Sequence, residues 1–267
     1  MNLSGRKALL TGATGGLGRA IAHALAERGA QVALSARKRE ALEELAADLP
    51  GSGHTVLPAD LAEPDAAERL AVEAAGTEIL VANAGLPAAG KLDDFTPEQL
   101  KRALRVNLEV PMLMARALYP SMLEVGSGHL VFIASLSGKA ASPRSSIYNA
   151  TKFGLRGFAL GLRADISPRG VGVSLVSPGF IRKAGMFADA GAKPPPGMGT
   201  STPEQVGAAT VKAIERNKVE VTVAPLQQRI GAHIALVSPS ISDKAQSGSA
   251  GQKAAQAIAD GHGEAKR

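Results

Sequence analysis

Two side chains four positions apart, Tyr148 and Lys152, are the pair in this sequence best suited to moving a proton. They close the stretch Ser-Leu-Ser-Gly-Lys-Ala-Ala-Ser-Pro-Arg-Ser-Ser-Ile-Tyr-Asn-Ala-Thr-Lys that begins at Ser135. Helical periodicity from Ile147 to Leu162 puts them one turn apart on one face. A free tyrosine, with a pKa of about 10, accepts protons poorly at neutral pH. An ammonium within a few ångströms favours the phenolate and lowers that pKa. A phenol so tuned exchanges a proton with an alcohol or carbonyl oxygen. Ser135 ends the apolar run from Gly128 to Ala134, a predicted buried strand, and could bond the same oxygen from the sheet side. The pair alone leaves a plainer alternative open, with Tyr148 packed and Lys152 solvated, because short motifs also arise by chance.

The totals narrow the chemistry further. The 267 residues fit one large α/β domain, and 45% of them are hydrophobic, enough for a sizeable core. With no Cys there is no disulfide framework, thiolate nucleophile or cysteine metal site. His23, His54, His129, His233 and His262 show no ligand spacing, so no metal is expected. Nothing reads as a membrane span or a signal peptide, and the default location is the cytoplasm. The net charge of +6 raises nucleic acid as a partner, but aromatics are only 3% and the cations are dispersed. A base-stacking surface is therefore not expected, and an anionic cofactor accounts for the charge.

Stepping from the pair to the elements around it, an apolar run from Ala8 leads into Thr11-Gly12-Ala13-Thr14-Gly15-Gly16-Leu17-Gly18, followed by helical periodicity to Arg28. Strand, glycine turn and helix in that order suit a phosphate. Gly12 permits the tight turn, Gly16 the approach of backbone to a pyrophosphate, and Gly18 close packing of helix on strand. The spacing Gly-x-x-x-Gly-x-Gly differs from Gly-x-Gly-x-x-Gly, and a purely structural turn is the competing reading. The second strand, Ala30 to Ala36, runs into Arg37-Lys38-Arg39 with no acid before Glu40. An acid here would hold a ribose 2′-hydroxyl, whereas cations suit a 2′-phosphate. Cations also oppose the dipole at a helix start, so a ligand charge explains them better than solvation does. NADP(H) is accordingly favoured over NAD(H).

Further strands are expected at His54 to Pro58, Glu78 to Ala82, Val171 to Val176 and Val219 to Val223, with helices between them. This alternation predicts a parallel sheet covered on both faces. Asp60 and Leu61 follow one strand end, and Asp60 could contact an adenine ring. Asn83-Ala84-Gly85 follow another, where small residues admit a nucleotide. Thr96 as N-cap and Pro97 at the first position open a long helix that carries Asn107 and runs to Tyr119-Pro120, with Pro111 a candidate kink.

Taken together, Thr11–Gly18, Asp60, Asn83-Ala84-Gly85, Asn107, Ser135, Tyr148-x-x-x-Lys152 and Pro178-Gly179 resemble the short-chain dehydrogenase/reductase family, from about Leu3 to Val223. The resemblance implies a Rossmann-type, doubly wound α/β domain over residues 1–225. It implies a tetrad of Asn107, Ser135, Tyr148 and Lys152, in which tyrosine is the acid/base and serine holds the substrate oxygen. Lysine bonds the nicotinamide ribose and lowers the tyrosine pKa, and asparagine fixes a relay water. It also implies a small-molecule substrate and a homodimer or homotetramer formed through the helices carrying Asn107 and Tyr148. One departure is that Arg182 and Lys183 stand where the family often has Thr after Pro-Gly, although Ile181 could still offer backbone to the carboxamide.

Residues 180–202 read as a lid. They are rich in Gly and Pro (Pro194-Pro195-Pro196-Gly197) and carry apolar Phe180, Met186, Phe187 and Met198, which suggests a medium-sized hydrophobic ketone or alcohol. In residues 226–239 the stripe Leu226, Ile230, Ile234 and Val237 is expected to pack on the domain or on a second subunit. A polar tail over 240–267 is expected to be loose and without chemistry. An oxidoreductase is the leading reading, and a non-catalytic NADP-binding regulator on the same fold is its rival.

Overall fold

The computed structural model describes residues 1–191, 194, 197–246, 255–257 and 259–261. Pro195 and Pro196 of the proline-rich stretch, and much of the expected tail, lie outside the described residues.

Seven strands form one parallel sheet: β1 Lys7–Thr11, β2 Gln31–Ser35, β3 Thr55–Val56, β4 Ile79–Ala82, β5 Gly128–Ile133, β6 Val171–Pro178 and β7 Glu220–Val223. Their order is β3-β2-β1-β4-β5-β6-β7. β4, β5 and β6 are buried at every residue, which is why they read as continuous apolar runs and not as an alternation. Neighbouring strand residues face opposite layers. Leu10 packs with α1 (Gly16–Ala26), α2 (Arg39–Asp48) and α8 (Pro203–Glu215), whereas Leu9 packs with α3 (Ala66–Glu73), α5 (Val110–Val125) and α6 (Ser146–Ile166). At the centre of the second layer Phe132 meets Phe158 edge-on, with centroids 5.6 Å apart. Truncating such a ring to Ala costs about 3–5 kcal/mol.

The helix opened by Thr96 begins as the sequence predicts. In α4 (Pro97–Leu104), Thr96 Oγ1 accepts from the Gln99 N–H at 3.2 Å and Gln99 Oε1 accepts from the Thr96 N–H at 2.9 Å. It does not run on as one α-helix. Residues Arg105–Glu109 form a π-turn before α5, in which the Val110 N–H reaches back to Arg105 O. Pro111 supplies the reason: it has no N–H to give the Asn107 carbonyl, so the ladder shifts register one turn before the proline. The helix then continues through Pro120 to Val125 and stops at Gly126 (φ 68°).

Of the two places expected for the C-terminal stripe, its own domain and a second subunit, the structure excludes the first. In α9 (Leu226–Val237) the residues turned inward are Gln228, Ala232 and Ala235. Leu226, Ile230 and Val237 are 63%, 51% and 75% exposed, so the apolar stripe faces away from its own domain. Small alanines let the helix lie close, and its large side chains are left outside. The segment after it begins as a helix, α10 (Pro239–Gln246). Further on, a Cβ on Gly261 would stand 2.1 Å from Ala190 O, so the tail touches the expected lid. No helix among the described residues is long and apolar enough to cross a membrane.

Candidate active site

The strand order reverses between β1 and β4, and their carboxyl ends form the crevice where such sheets take ligands. The two ends are laced together. Thr11 Oγ1 accepts from the N–H groups of Asn83 and Ala84, each at 3.1 Å. Asn83 Nδ2 donates to the carbonyls of Thr11 (3.0 Å) and Gly12 (3.1 Å). These two side chains therefore serve the scaffold, leaving backbone and small residues to line the crevice. Gly12 (φ +65°) turns the chain there, and a Cβ on it would stand 2.9 Å from Ala84 Cα. A Cβ on Gly18 would lie 2.2 Å from Gly12 O, so α1 closes directly on the turn.

The N-terminus of α1 has Gly15 as N-cap with no side-chain cap, and no acid in its first turn. Its free N–H groups and positive dipole end suit a phosphate. Gly16 does something the sequence did not suggest: its missing Cβ makes room for Ala184, whose own Cβ would be 2.3 Å away. Thr14, Gly15 and Leu17 stay partly exposed around that N-terminus. Arg37 and Lys38 are exposed just past β2, and their side chains meet no partner among the described residues, whereas Arg39 pairs with Glu43 at 3.6 Å. Asp60 Oδ1 accepts from the Ala62 N–H at 3.0 Å, which shapes the turn after β3, and Leu61 is buried in the second core layer. An uncapped helix start, a glycine turn and two cations beyond β2 without a partner among the described residues fit a nicotinamide dinucleotide carrying an extra phosphate.

The reactive groups converge beside β4 and β5. Ser135 caps the 3-10 turn Leu136–Gly138, its Oγ accepting from the Ser137 N–H at 3.1 Å. Gly138 seats this turn on α6, since a Cβ there would stand 2.6 Å from Lys152 O. Ser135 thereby lies close enough to the Tyr148 hydroxyl to pull its pKa down. Lys152, only 4% exposed, donates to the Ile133 carbonyl at 3.0 Å and lies 5.6 Å from the Tyr148 ring centre. Burial drives both titrations. It pushes Tyr148 up to about 12, against the smaller downward pull of Ser135, and Lys152 down to about 8. The expectation that Lys152 lowers Tyr148 is thus corrected for this arrangement. The ammonium is bonded to a carbonyl, and burial sets the titration of the phenol.

Asn107 is 1% exposed, and its side chain bonds backbone at both tips. Its Oδ1 accepts from the Leu86 N–H at 2.6 Å and its Nδ2 donates to Leu86 O at 2.9 Å, which anchors the segment after β4. The Asn107 carbonyl lacks its α-helical donor, because Pro111 has no N–H to give it. On the far side, Pro178 ends β6 and the Gly179 N–H donates to Val223 O at 3.0 Å. Ile181 is buried and bridges to Ser201.

The sequence reading missed the group that ties this site together from below. Glu220 accepts from Lys139 Nζ (2.8 Å), Ser177 Oγ (2.6 Å) and Arg156 Nη2 (3.4 Å). Lys139 follows the Ser135 turn, and Arg156 lies one turn beyond Lys152. One carboxylate thus joins the serine loop to the tyrosine helix. Burial raises its pKa, but the bonds from Lys139 and Ser177 outweigh that and hold it below the usual carboxylate range. A glutamate at the start of a strand gave no signal for this, because its partners are far apart in sequence.

Over residues 6–195 the sequence matches the short chain dehydrogenase family. The chain belongs to the short-chain dehydrogenase/reductase family. It is 32% identical over 256 residues to the dehydrogenase/reductase SDR family protein 7-like of Drosophila melanogaster, covering 90% of this chain and 78% of that protein. It is 35% identical over 227 residues to the ketoacyl reductase HetN of Nostoc sp., covering 83% and 79%. Among solved structures, a short-chain dehydrogenase from Sphingobium yanoikuyae in complex with NADPH superposes with a TM-score of 0.77 at 29% identity, covering 89% of this chain and 95% of that one. The fold is that of a short-chain dehydrogenase/reductase, and the family's oxidoreductase chemistry on a nicotinamide cofactor is the frame for the site.

Proposed function

We propose that this short-chain dehydrogenase/reductase is an NADP(H)-dependent carbonyl reductase, interconverting a medium-sized hydrophobic ketone and its secondary alcohol. The observation that carries the reading is the convergence of Ser135, Tyr148 and a buried Lys152 beside the crevice. The NADPH complex of the Sphingobium relative and the ketoacyl reductase name of the Nostoc relative support it.

A bound nicotinamide would supply or accept the hydride, and the protein supplies orientation and the proton. The α1 N-terminus would hold the pyrophosphate, and Arg37 and Lys38 would hold the 2′-phosphate. Tyr148 is protonated at neutral pH and donates to the substrate oxygen as reduction builds negative charge there. Ser135 turns its own proton to that oxygen. Lys152 would hold the nicotinamide ribose, and the Asn107 carbonyl would hold the water that returns the proton to the tyrosinate. Phe180, Phe187, Met186 and Met198 line the substrate side, with the two phenyl rings 4.7 Å apart. Partly exposed Met112 and Phe153, on the helices continuing from Asn107 and Tyr148, support pairing of subunits through that face.

The test is NADPH oxidation against a panel of ketones and quinones, with Tyr148→Phe as control. Turnover of apolar ketones that the Phe variant lacks is expected. Tight NADPH binding with no turnover of any carbonyl would instead favour a regulator on this fold.

A further inference from the structure

We propose that Gln228 is a positioning residue that clasps the neck of the 180–201 loop and thereby sets substrate binding. The inference rests on reading that loop as the substrate lid. Gln228 is 5% exposed on the inward face of α9, between the two stems of the loop. Its Oε1 accepts from the Phe180 N–H at 3.1 Å, and its Nε2 donates to the Gly199 carbonyl at 2.5 Å. One amide therefore holds both ends of the loop.

The two partners fix which side chain can do this. Phe180 offers only a donor and Gly199 only an acceptor, so the clasp must accept at one tip and donate at the other. A primary amide does both. An ionised glutamate can only accept, and an apolar chain leaves the part-buried Phe180 N–H and the Gly199 carbonyl without this partner. Gly179 makes the room, since a Cβ there would stand 2.0 Å from Gln228 Oε1. The neck itself is a short parallel pairing of Ile181 with Ser201, in which the Ser201 N–H donates to Phe180 O (2.9 Å) and the Arg182 N–H to Ser201 O (3.0 Å).

What lies beyond the neck gives the clasp its consequence. The loop descends onto the crevice, with Ala184 against Gly16. A Cβ on Gly85 would stand 3.5 Å from Met186 Cε, and Phe187 stacks on Phe180. Phe180 is both a clasped residue and a wall of the substrate side. Loosening its backbone moves that wall, while the glycine turn and the cations beyond β2 stay where they are.

Gln228→Glu separates positioning from general structural loss. Near-complete burial and the facing Gly199 carbonyl disfavour a carboxylate here and hold an introduced acid protonated above its free value of about 4.3; the protonated acid accepts from Phe180 and donates to Gly199, so it restores the clasp. Its ionised form cannot donate and repels the Gly199 carbonyl. Gln228→Met lacks the clasp at every pH. Ketone KM, NADPH Kd and hydrogen exchange of peptides covering 180–191 and 197–202 are measured for both variants, each against wild type at the same pH. For Gln228→Glu we expect a ketone KM near wild type at about pH 5 and about tenfold higher at about pH 8. Gln228→Met should be about tenfold higher at both, with NADPH Kd changed by less than about twofold throughout. Exchange of the two neck peptides should rise in step with KM. Wild-type KM and exchange in both variants at both pH values would overturn the clasp, as would a pH-independent loss in Gln228→Glu accompanied by weakened NADPH binding. If wild type reduces no ketone, the carbonyl-reductase reading falls, and the exchange data alone then decide the clasp.

Discussion

The Lys152 ammonium gives its hydrogen bond to the Ile133 carbonyl and stands 5.6 Å from the centre of the Tyr148 ring. In this arrangement the cation holds the helix against β5 and leaves the phenol at about 12. The sequence holds two tyrosines and no tryptophan, so Tyr119→Phe leaves Tyr148 as the sole source of tyrosinate absorption. Ultraviolet titration of that variant should show no ionisation below about pH 11 without cofactor, and an onset at least about one unit lower with NADP⁺ bound. An onset at the free-tyrosine value of about 10 without cofactor would mean that burial does not govern this group.

Lys152 carries its own desolvation cost. Its folded-state pKa is about 8, lowered from 10.5 by burial. Between those values the folded chain binds fewer protons than the unfolded one, so stability rises with pH across that window, and the whole cost is felt below it. The cost is about 3 kcal/mol. Lys152→Met, of similar reach but uncharged, should therefore unfold at higher urea than wild type at neutral pH. That advantage should shrink as pH approaches 10, and activity should be lost throughout. A Met variant less stable at neutral pH would show that the Ile133 bond outweighs desolvation.

Arg37 and Lys38 face solvent with no side-chain partner among the described residues, so removing them should leave the fold intact. Arg37→Ala should weaken NADPH by about 1–3 kcal/mol, the range of a charge-assisted bond, while changing NADH much less. The difference should diminish as salt is raised. Titration of both cofactors by fluorescence at two ionic strengths reads this. An equal loss for NADPH and NADH would place the 2′-phosphate elsewhere.

Much of this was legible because it is local. Tyr148 and Lys152 share a helix face by spacing, and the glycine turn, the Thr96 cap and the alternation of strands and helices are written within a few residues of each other. What escaped the sequence depends on distance or direction. Gln228 bonds residues 48 and 29 positions away. Glu220 gathers Lys139, Arg156 and Ser177 from three separate elements. The stripe of α9 was visible, but a periodic pattern says which residues share a face and not which face turns inward. Ala232 and Ala235 won the inner side because small residues permit closer approach. The π-turn was half legible: Pro111 announced a break, but the register shift fell one turn upstream, at the carbonyl it fails to bond.

That break at Asn107 makes a paired prediction. Asn107→Ala strips the partners from the part-buried Leu86 N–H and carbonyl and should cost about 1–3 kcal/mol with loss of activity. Pro111→Ala restores an N–H to the Asn107 carbonyl, which should convert the π-turn to α-helix and occupy the oxygen assigned to the relay water. It should reduce kcat without lowering the melting temperature. Calorimetry beside steady-state kinetics separates the two, and a Pro111→Ala enzyme with wild-type kcat would remove the carbonyl from the relay.

His129 offers a stability test at the opposite end of the sheet from the crevice. It pairs across β5 and β6 with Gly172, where a Cβ would stand 2.3 Å from its Nδ1, so the glycine is the space the ring occupies. Ser174 Oγ donates to the Lys218 carbonyl at 2.5 Å, and must therefore accept from His129 Nε2–H at 2.8 Å. The ring is neutral and buried, and burial, helped by the positive charges of the N-terminus and Arg163, lowers its pKa to about 3. The unfolded chain takes up this proton near 6.5 and the folded chain does not. Stability is thus fully present above about pH 6.5 and is lost by about 1.4 kcal/mol per unit as pH falls toward 3. Between pH 7 and pH 5 this group alone should remove about 2 kcal/mol. His129→Gln keeps a donor for Ser174 but cannot titrate, so its urea midpoint should fall less over that interval. Parallel pH dependence in wild type and variant would mean that the imidazole gains its proton while folded.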